Sequence, residues 1–189
     1  MNDNEQAWIH ELLNGNEAAF RRLVEEYQHL VYNTVLSIVQ NEADAEELTQ
    51  DVFVQAHRSI GGFKGDAKLS TWLYRIAGSK ALDHLRRKKA KKRLAWLYRE
   101  PIDPEAATEI PVFYHPGVAL EQKEQAALLF RLIRQLPDKQ RLAFTLNQAE
   151  GLSAQEIAPV LGISAGAAES LLFRARSRLR ELLQEAEKK

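Results

Sequence analysis

Cysteine is absent from the 189 residues. That excludes a disulfide framework, a thiolate zinc site and a thiol nucleophile. No apolar run approaches the ~20 residues a membrane-spanning helix needs, so no direct membrane insertion is expected. Met1–Asn4 opens polar, unlike a signal peptide, and the cytoplasm is the expected location. Neither charge is in excess, with 26 Lys+Arg against 26 Asp+Glu. No segment alternates apolar and polar with the period of a strand. The 5 histidines (His10, His29, His57, His84 and His115) show no metal-ligand spacing. A Gly-rich phosphate loop and a nucleophile motif are also missing, so no catalytic residue, metal or cofactor is expected.

What is present is unevenly placed. Asn41–Asp51 carries Glu42, Asp44, Glu46, Glu47 and Asp51 without a basic residue. Arg86–Arg93 reads RRKKAKKR, and Glu100–Gln122 again lacks Lys and Arg. A neutral total built from separated blocks points to several partners of different charge.

Helical periodicity dominates. Ala19, Phe20, Leu23, Val24, Tyr27, Leu30, Val31 and Val35 recur at steps of three and four, as do Leu48, Val52, Phe53 and Ala56. A third helix starts at Ser70 or Thr71 and buries Leu73, Ile76, Ala77, Ala81 and Leu85. The glycines of Gly61–Lys68 mark the loop before it. Near Glu100 four prolines, each opposing a continuous helix, predict an extended acidic stretch over about Lys92–Val118. Helices then resume at Ala119–Leu136, Asp138–Glu150, Ser153–Leu161 and from Ser164 or Ala165 to about Glu185. The expected fold is all-α: two small helical domains, 1–95 and 119–189, joined by an extended proline-containing linker over 96–118.

The C-terminal pair has the spacing of a helix-turn-helix, whose second helix enters the major groove. Ser153 and Glu156 fit a capping box, Gly162 gives the turn and Ser164 caps the next helix. The alternative is an ordinary helical hairpin. On a helical wheel Ala168, Leu171, Leu172, Ala175, Leu179 and Leu182 share the buried side of the second helix. Arg174, Arg176, Arg178 and Arg180 flank it, while Glu169, Ser170, Phe173 and Ser177 point outward. The arginines suit phosphates, or form a solvated face with stems laid over the core.

Asp44-Ala-Glu-Glu-Leu-Thr-Gln-Asp-Val-Phe53, together with Ser70-Thr-Trp-Leu-Tyr-Arg-Ile-Ala77, Leu82-Asp83 and Leu85-Arg86-Arg87, resembles region 2 of bacterial extracytoplasmic-function sigma factors. These belong to the sigma-70-type promoter-recognition subunits. Leu136–Arg180 resembles region 4 of the same family, and the two blocks stand in the family's order. The resemblance implies that the acidic helix docks on core RNA polymerase through Asp44, Glu47, Leu48, Gln50, Asp51 and Phe53. An enrichment of acids suited to the helix dipole is the alternative for that block. The third helix and its loop would engage a melted −10 element through Lys64, Lys68, Trp72, Arg75, Ser79, Asp83, Arg86 and Arg87. Trp72 is either a base platform or half-buried core, and the family often has Asn where this chain has Ser79.

Region 4 would read a duplex −35 element through Ser164, Glu169, Ser170, Phe173, Arg174 and Arg176. Many family members carry Thr-Val-Lys-Ser-Arg where this chain has Ala167-Ala-Glu-Ser-Leu171, which implies an altered specificity. Glu169 suits the N4 amino group of cytosine and Phe173 a thymine methyl. Alternatively Glu169 serves the helix dipole and Phe173 the core. The resemblance further implies control by an anti-sigma factor, commonly membrane-anchored. A freestanding dimeric helix-turn-helix regulator is the competing reading, and it leaves the acidic helix and the third helix without a role.

Overall fold

The computed structural model describes residues 3–65, 67–97 and 128–187. The linker expected over 96–118 and a helix start at Ala119 fall almost entirely outside them.

Eight α-helices are described. The first, α1 (Asp3–Leu13), was not legible as a periodic segment, yet it puts Trp8, Ile9 and Leu12 into the core. Trp8 donates its indole N–H to the Ala19 carbonyl at 3.1 Å, and Arg22 lies over its ring at 4.5 Å. Helix α2 (Glu17–Val39) begins at Asn16, whose side chain accepts from the Ala18 and Ala19 amides. Helix α3 (Glu42–Ser59) is capped the same way by Asn41, and a 3₁₀ turn (Ile60–Gly62) leads into the loop. Helix α4 (Leu69–Leu97) runs past Lys92, where the extended stretch was expected. The reason is chemical: Lys, Arg, Leu and Ala are good helix formers, and the first opposing proline is Pro101.

In the second half α5 covers 128–134 and is followed by α6 (Asp138–Ala149), α7 (Ala154–Leu161) and α8 (Ala165–Glu187). The capping box forms: Glu156 N donates to Ser153 Oγ at 3.3 Å and Ser153 N donates to Glu156 Oε2 at 2.9 Å. Gly162 adopts φ 63°, the left-handed conformation glycine reaches without a Cβ penalty. The chain turns by 102° between α7 and α8, within the range of a helix-turn-helix. The wheel holds for Ala168, Leu172, Ala175, Leu179 and Leu182, which are buried, while Leu171 is half-buried.

The two halves are not merely tethered. One apolar core runs through both, joining Val35, Leu36, Ala77 and Ala81 to Leu142, Leu146, Ile157 and Val160. Every residue from Thr34 to Gln40 is buried, because α3, α4 and α6 together surround that end of α2. A helix end apolar on all faces is the mark of full enclosure. Its hydroxyls are satisfied locally, with Thr34 donating to Leu30 O and Ser37 to Thr34 O.

Close approach at this seam depends on Gly78 of α4. A Cβ there would stand 2.8 Å from Leu142 Cδ2 and 3.7 Å from Val160 Cγ1. Polar bonds fasten the same seam. Tyr74 donates its hydroxyl to Glu150 at 2.5 Å, and Gln40 donates its amide to the Phe130 carbonyl at 3.3 Å. Arg141, buried to 7% exposure, donates to Ile38 O, Arg134 O and Leu136 O. Burial draws its pKa below the ordinary guanidinium range; Asp138 opposes that and Arg134 adds to it.

Candidate nucleic-acid interface

The acidic helix α3 presents an outward stripe. Glu47, Gln50 and Asp51 are exposed on it, and Val54, one turn on, is 48% exposed. Val54 was missed in the sequence; its spacing of three and four from Asp51 and Gln50 is the signal that places it there. Leu48 and Phe53 turn inward, at 4% and 8% exposure. In this structure they pack α3 against the bundle. Asp44 is half-buried, with its Oδ2 3.1 Å from His84 Nε2 and 3.3 Å from Lys88 Nζ. Asp51 accepts from Lys80 at 3.2 Å. The negative charge of Asp44 and Asp51 is therefore partly neutralised by α4, and Glu47 is exposed beside them.

The loop after α3 and the first turns of α4 form a cleft. Lys64, Thr71, Trp72 and Arg75 line one side, and Pro159 and Val160 of α7 line the other. Trp72 is half-buried and leans on Phe63 with ring centroids 5.4 Å apart, so it serves the core on one face and the cleft on the other. Lys64, Lys68, Arg75 and Ser79 are exposed. Further along α4, Arg86 and Arg87 are exposed and Asp83 is half-buried. Asp83 accepts from Arg86 at 2.6 Å, so its charge is paired along the helix. Arg86, Arg87, Lys89, Lys92 and Arg93 surround a shallow basic surface at the far end.

On α8, Glu169, Ser170, Phe173 and Arg174 make one outward patch. Phe173 is 71% exposed, so here it is not a core residue. Ser170 donates to Gly166 O at 2.9 Å and Arg174 to Ser170 O at 3.1 Å, which orients both along the helix. Ser164 caps the helix by accepting from the Ala167 amide at 3.3 Å. Arg176 donates to Asn147 Oδ1 at 2.7 Å, fixing α8 to α6. The capping hydrogen bonds from Ser153 hold the Glu156 carboxyl below its ordinary pKa, with the charge of Lys68 adding to the effect. Among the described residues no group of three or more His, Cys, Asp and Glu side chains could hold a metal, and no single helix is long and apolar enough to cross a membrane.

Known proteins agree with this layout. Residues 23–91 match the family model for Sigma-70 region 2, and residues 121–179 match that for Sigma-70, region 4. The RNA polymerase sigma-H factor of Pseudomonas aeruginosa is 32% identical, over 96% of this chain and 95% of that protein. The ECF RNA polymerase sigma-E factor of Escherichia coli is 33% identical, over 91% and 90%. CnrH, solved in complex with the cytosolic domain of CnrY, aligns over 97% of this chain and 99% of its own with a TM-score of 0.69 at 25% identity. The sigma factor RpoE of Bartonella quintana, solved with the anti-sigma factor NepR, shares the fold over 87% of this chain and 96% of its own, with a TM-score of 0.67 at 23% identity. A freestanding regulator would account for one of the two matched blocks and leave the other idle. The chain belongs to the extracytoplasmic-function sigma factors of the sigma-70 family, the RNA polymerase subunits that direct promoter-specific initiation of transcription.

Proposed function

We propose the following division of labour within this sigma factor. Residues 1–95 bind core RNA polymerase and recognise and melt the −10 element, 96–118 form the linker, and 119–189 read the −35 element as duplex. The outward stripe Glu47, Gln50, Asp51 and Val54 docks on polymerase, with Asp44 as a half-buried flank. Lys64, Lys68, Trp72, Arg75 and Ser79 take an unstacked base and its strand, and Asp83-paired Arg86 together with Arg87 follows the phosphates. A melted strand needs an aromatic face for stacking and cations for its backbone, and this cleft supplies both.

Glu169, Ser170 and Phe173 read base edges in the major groove, Arg174 and Arg176 hold phosphates, and Ser164 sets the helix end. The chain works in the cytoplasm as a recognition subunit, without catalytic chemistry of its own. Anti-sigma control is part of the proposal. It is supported by the fold shared with the Bartonella protein, which was solved with its anti-sigma factor.

The observation that carries the reading is the cleft itself. Lys64 of the loop and Trp72 and Arg75 of the first turns of α4 meet at one opening. The test is reconstitution with core RNA polymerase and sequencing of the transcripts that start. Transcripts sharing upstream and −10 sequences are expected; tight, specific duplex binding without polymerase would overturn the assignment. Glu47→Lys with Asp51→Lys should weaken association with core by at least about tenfold, equivalent to ~1.4 kcal/mol. Unchanged association would remove α3 from the docking surface.

A further inference from the structure

Asn147, half-buried in the last turn of α6, joins three parts of the helix-turn-helix unit through one amide. Its Nδ2 donates to the Leu152 carbonyl at 2.8 Å, and the Leu152 amide donates to Leu146 O at 3.1 Å. Both backbone groups of Leu152 are thus held by adjacent residues of α6, immediately before Ser153, the cap of α7. Gly151 takes φ 67° within this turn, the left-handed conformation in which glycine ends helices. On its other side Asn147 Oδ1 accepts from Arg176 Nη2 of α8 at 2.7 Å and from Gln148 Nε2 at 3.0 Å.

These partners fix the amide. Two donors meet its oxygen and one carbonyl meets its nitrogen, so a flipped amide would set N–H against guanidinium and oxygen against carbonyl. Arg176 inherits that orientation. It follows Phe173 by three positions, so it borders the outward patch of α8. The α8 arginines use their charges differently. Arg178 is paired with Glu181 at 3.0 Å and Glu185 at 3.9 Å, which spends its charge within the protein. Arg176 is exposed and held by a neutral group, which gives it a direction without cancelling its charge. Its other guanidinium donors remain for an oxyanion. An exposed hydrogen bond of this kind adds little to stability, so its consequence lies in orientation.

We propose that Asn147 is a positioning residue for −35 recognition: it holds the Arg176 guanidinium ready for one phosphate of the duplex. The proposal rests on the −35 assignment of Arg176 made above. Without Asn147 a long side chain must be immobilised when DNA binds, and that ordering is taken from the affinity. The neutrality of the amide matters as much as its reach. A carboxylate in the same place would hold Arg176 and compete with the phosphate for it.

Reconstituted holoenzyme tests this on a promoter duplex taken from the sequenced transcript starts, beside the same duplex with its upstream element scrambled. Affinity is measured across a salt series. Arg176→Ala should lower affinity for the intact promoter and reduce the salt slope by about 0.9, the loss of one phosphate contact. Asn147→Ala should lower affinity about threefold to tenfold and leave the slope unchanged, because the charge remains and only its placement is lost. Asn147→Asp should reduce the slope as Arg176→Ala does. In an Arg176→Ala background, Asn147→Ala should cost no further affinity. Thermal melts of the free variants separate the part played by the turn: losing the Leu152 bond lowers stability equally with or without Arg176, so it cannot produce that pattern.

An Asn147→Ala holoenzyme with wild-type affinity overturns the proposal, as does a loss that persists in full when Arg176 is already alanine. A wild-type slope in Asn147→Asp overturns the pairing of position 147 with Arg176 on DNA. Equal affinity of wild-type holoenzyme for both duplexes, or an Arg176→Ala chain that binds as wild type does, overturns the −35 assignment beneath it.

Discussion

The two candidate DNA surfaces differ in how they meet solvent. The −35 patch lies on the outer face of α8 and depends on its own half: its arginines bond within α8 or to α6, and its aromatic, Phe173, stands free of the core. The −10 cleft is composite. Its aromatic, Trp72, is half-buried against Phe63, and one of its walls is borrowed from the other half of the chain. The contrast follows the state of the DNA each would read. Duplex edges can be read by a rigid exposed helix, whereas an unstacked base requires a recess, and a recess can be filled by something else.

The largest test of that contrast removes the shared core. Leu142→Ala deletes a side chain with 0% exposure and should cost about 2–5 kcal/mol. Denaturant unfolding should register it as a single shifted transition followed by probes in both halves. A shift confined to the second half would mean that the halves do not share stability. Arg141→Met is expected to be next, at about 1.5–3 kcal/mol, because it withdraws a charged donor from three carbonyls. Thermal melts compared with wild type would check it.

Changes on the open surface should act oppositely, leaving stability alone. Phe173→Ala should alter the melting free energy by less than ~0.5 kcal/mol while lowering use of the upstream element in transcription assays. A destabilised variant would return Phe173 to the core. Glu169→Lys should change which upstream hexamer is used; an unchanged preference would leave Glu169 as a helix-dipole residue.

The smallest effect concerns acid. The Glu156 carboxyl sits below its ordinary pKa in the folded chain, so its contribution is full above the unfolded value and is lost as pH falls through the folded one. Lowering pH through the carboxylate range should therefore weaken the start of α7 by under ~1 kcal/mol. The loss should be reduced in Glu156→Gln, whose amide keeps a capping acceptor without titrating.

Local features were largely legible from sequence. Apolar spacing placed α2 and α3, stop signals bounded α6, and the caps Ser153 and Ser164 placed α7 and α8, because each depends on residues within one or two turns. The outward positions of Glu169, Ser170 and Phe173 followed from the wheel alone. The seam was not legible. Gly78 reads as a tolerated helical glycine, Tyr74 as an ordinary core aromatic and Arg141 as one more cation, and each acquires its role from a partner between 64 and 103 positions away. The inward turn of Leu48 and Phe53 was not legible from the motif for a related reason: a docking helix contains both residues that face outward and those that fix the helix, and a motif does not separate them. One overlooked clue was present. Val35 to Val39 is apolar or small at every position, more than a helix packed on one face requires.

The fit between Gly78 and Leu142 also bears on how such a chain can change over generations. With 2.8 Å between Leu142 Cδ2 and any Cβ at position 78, these two sites trade volume across the seam. A bulkier residue at 78 is tolerated when 142 shrinks, and either change alone weakens the seam between the halves. The strength of the contact between the halves can therefore drift through substitutions that touch neither DNA nor polymerase.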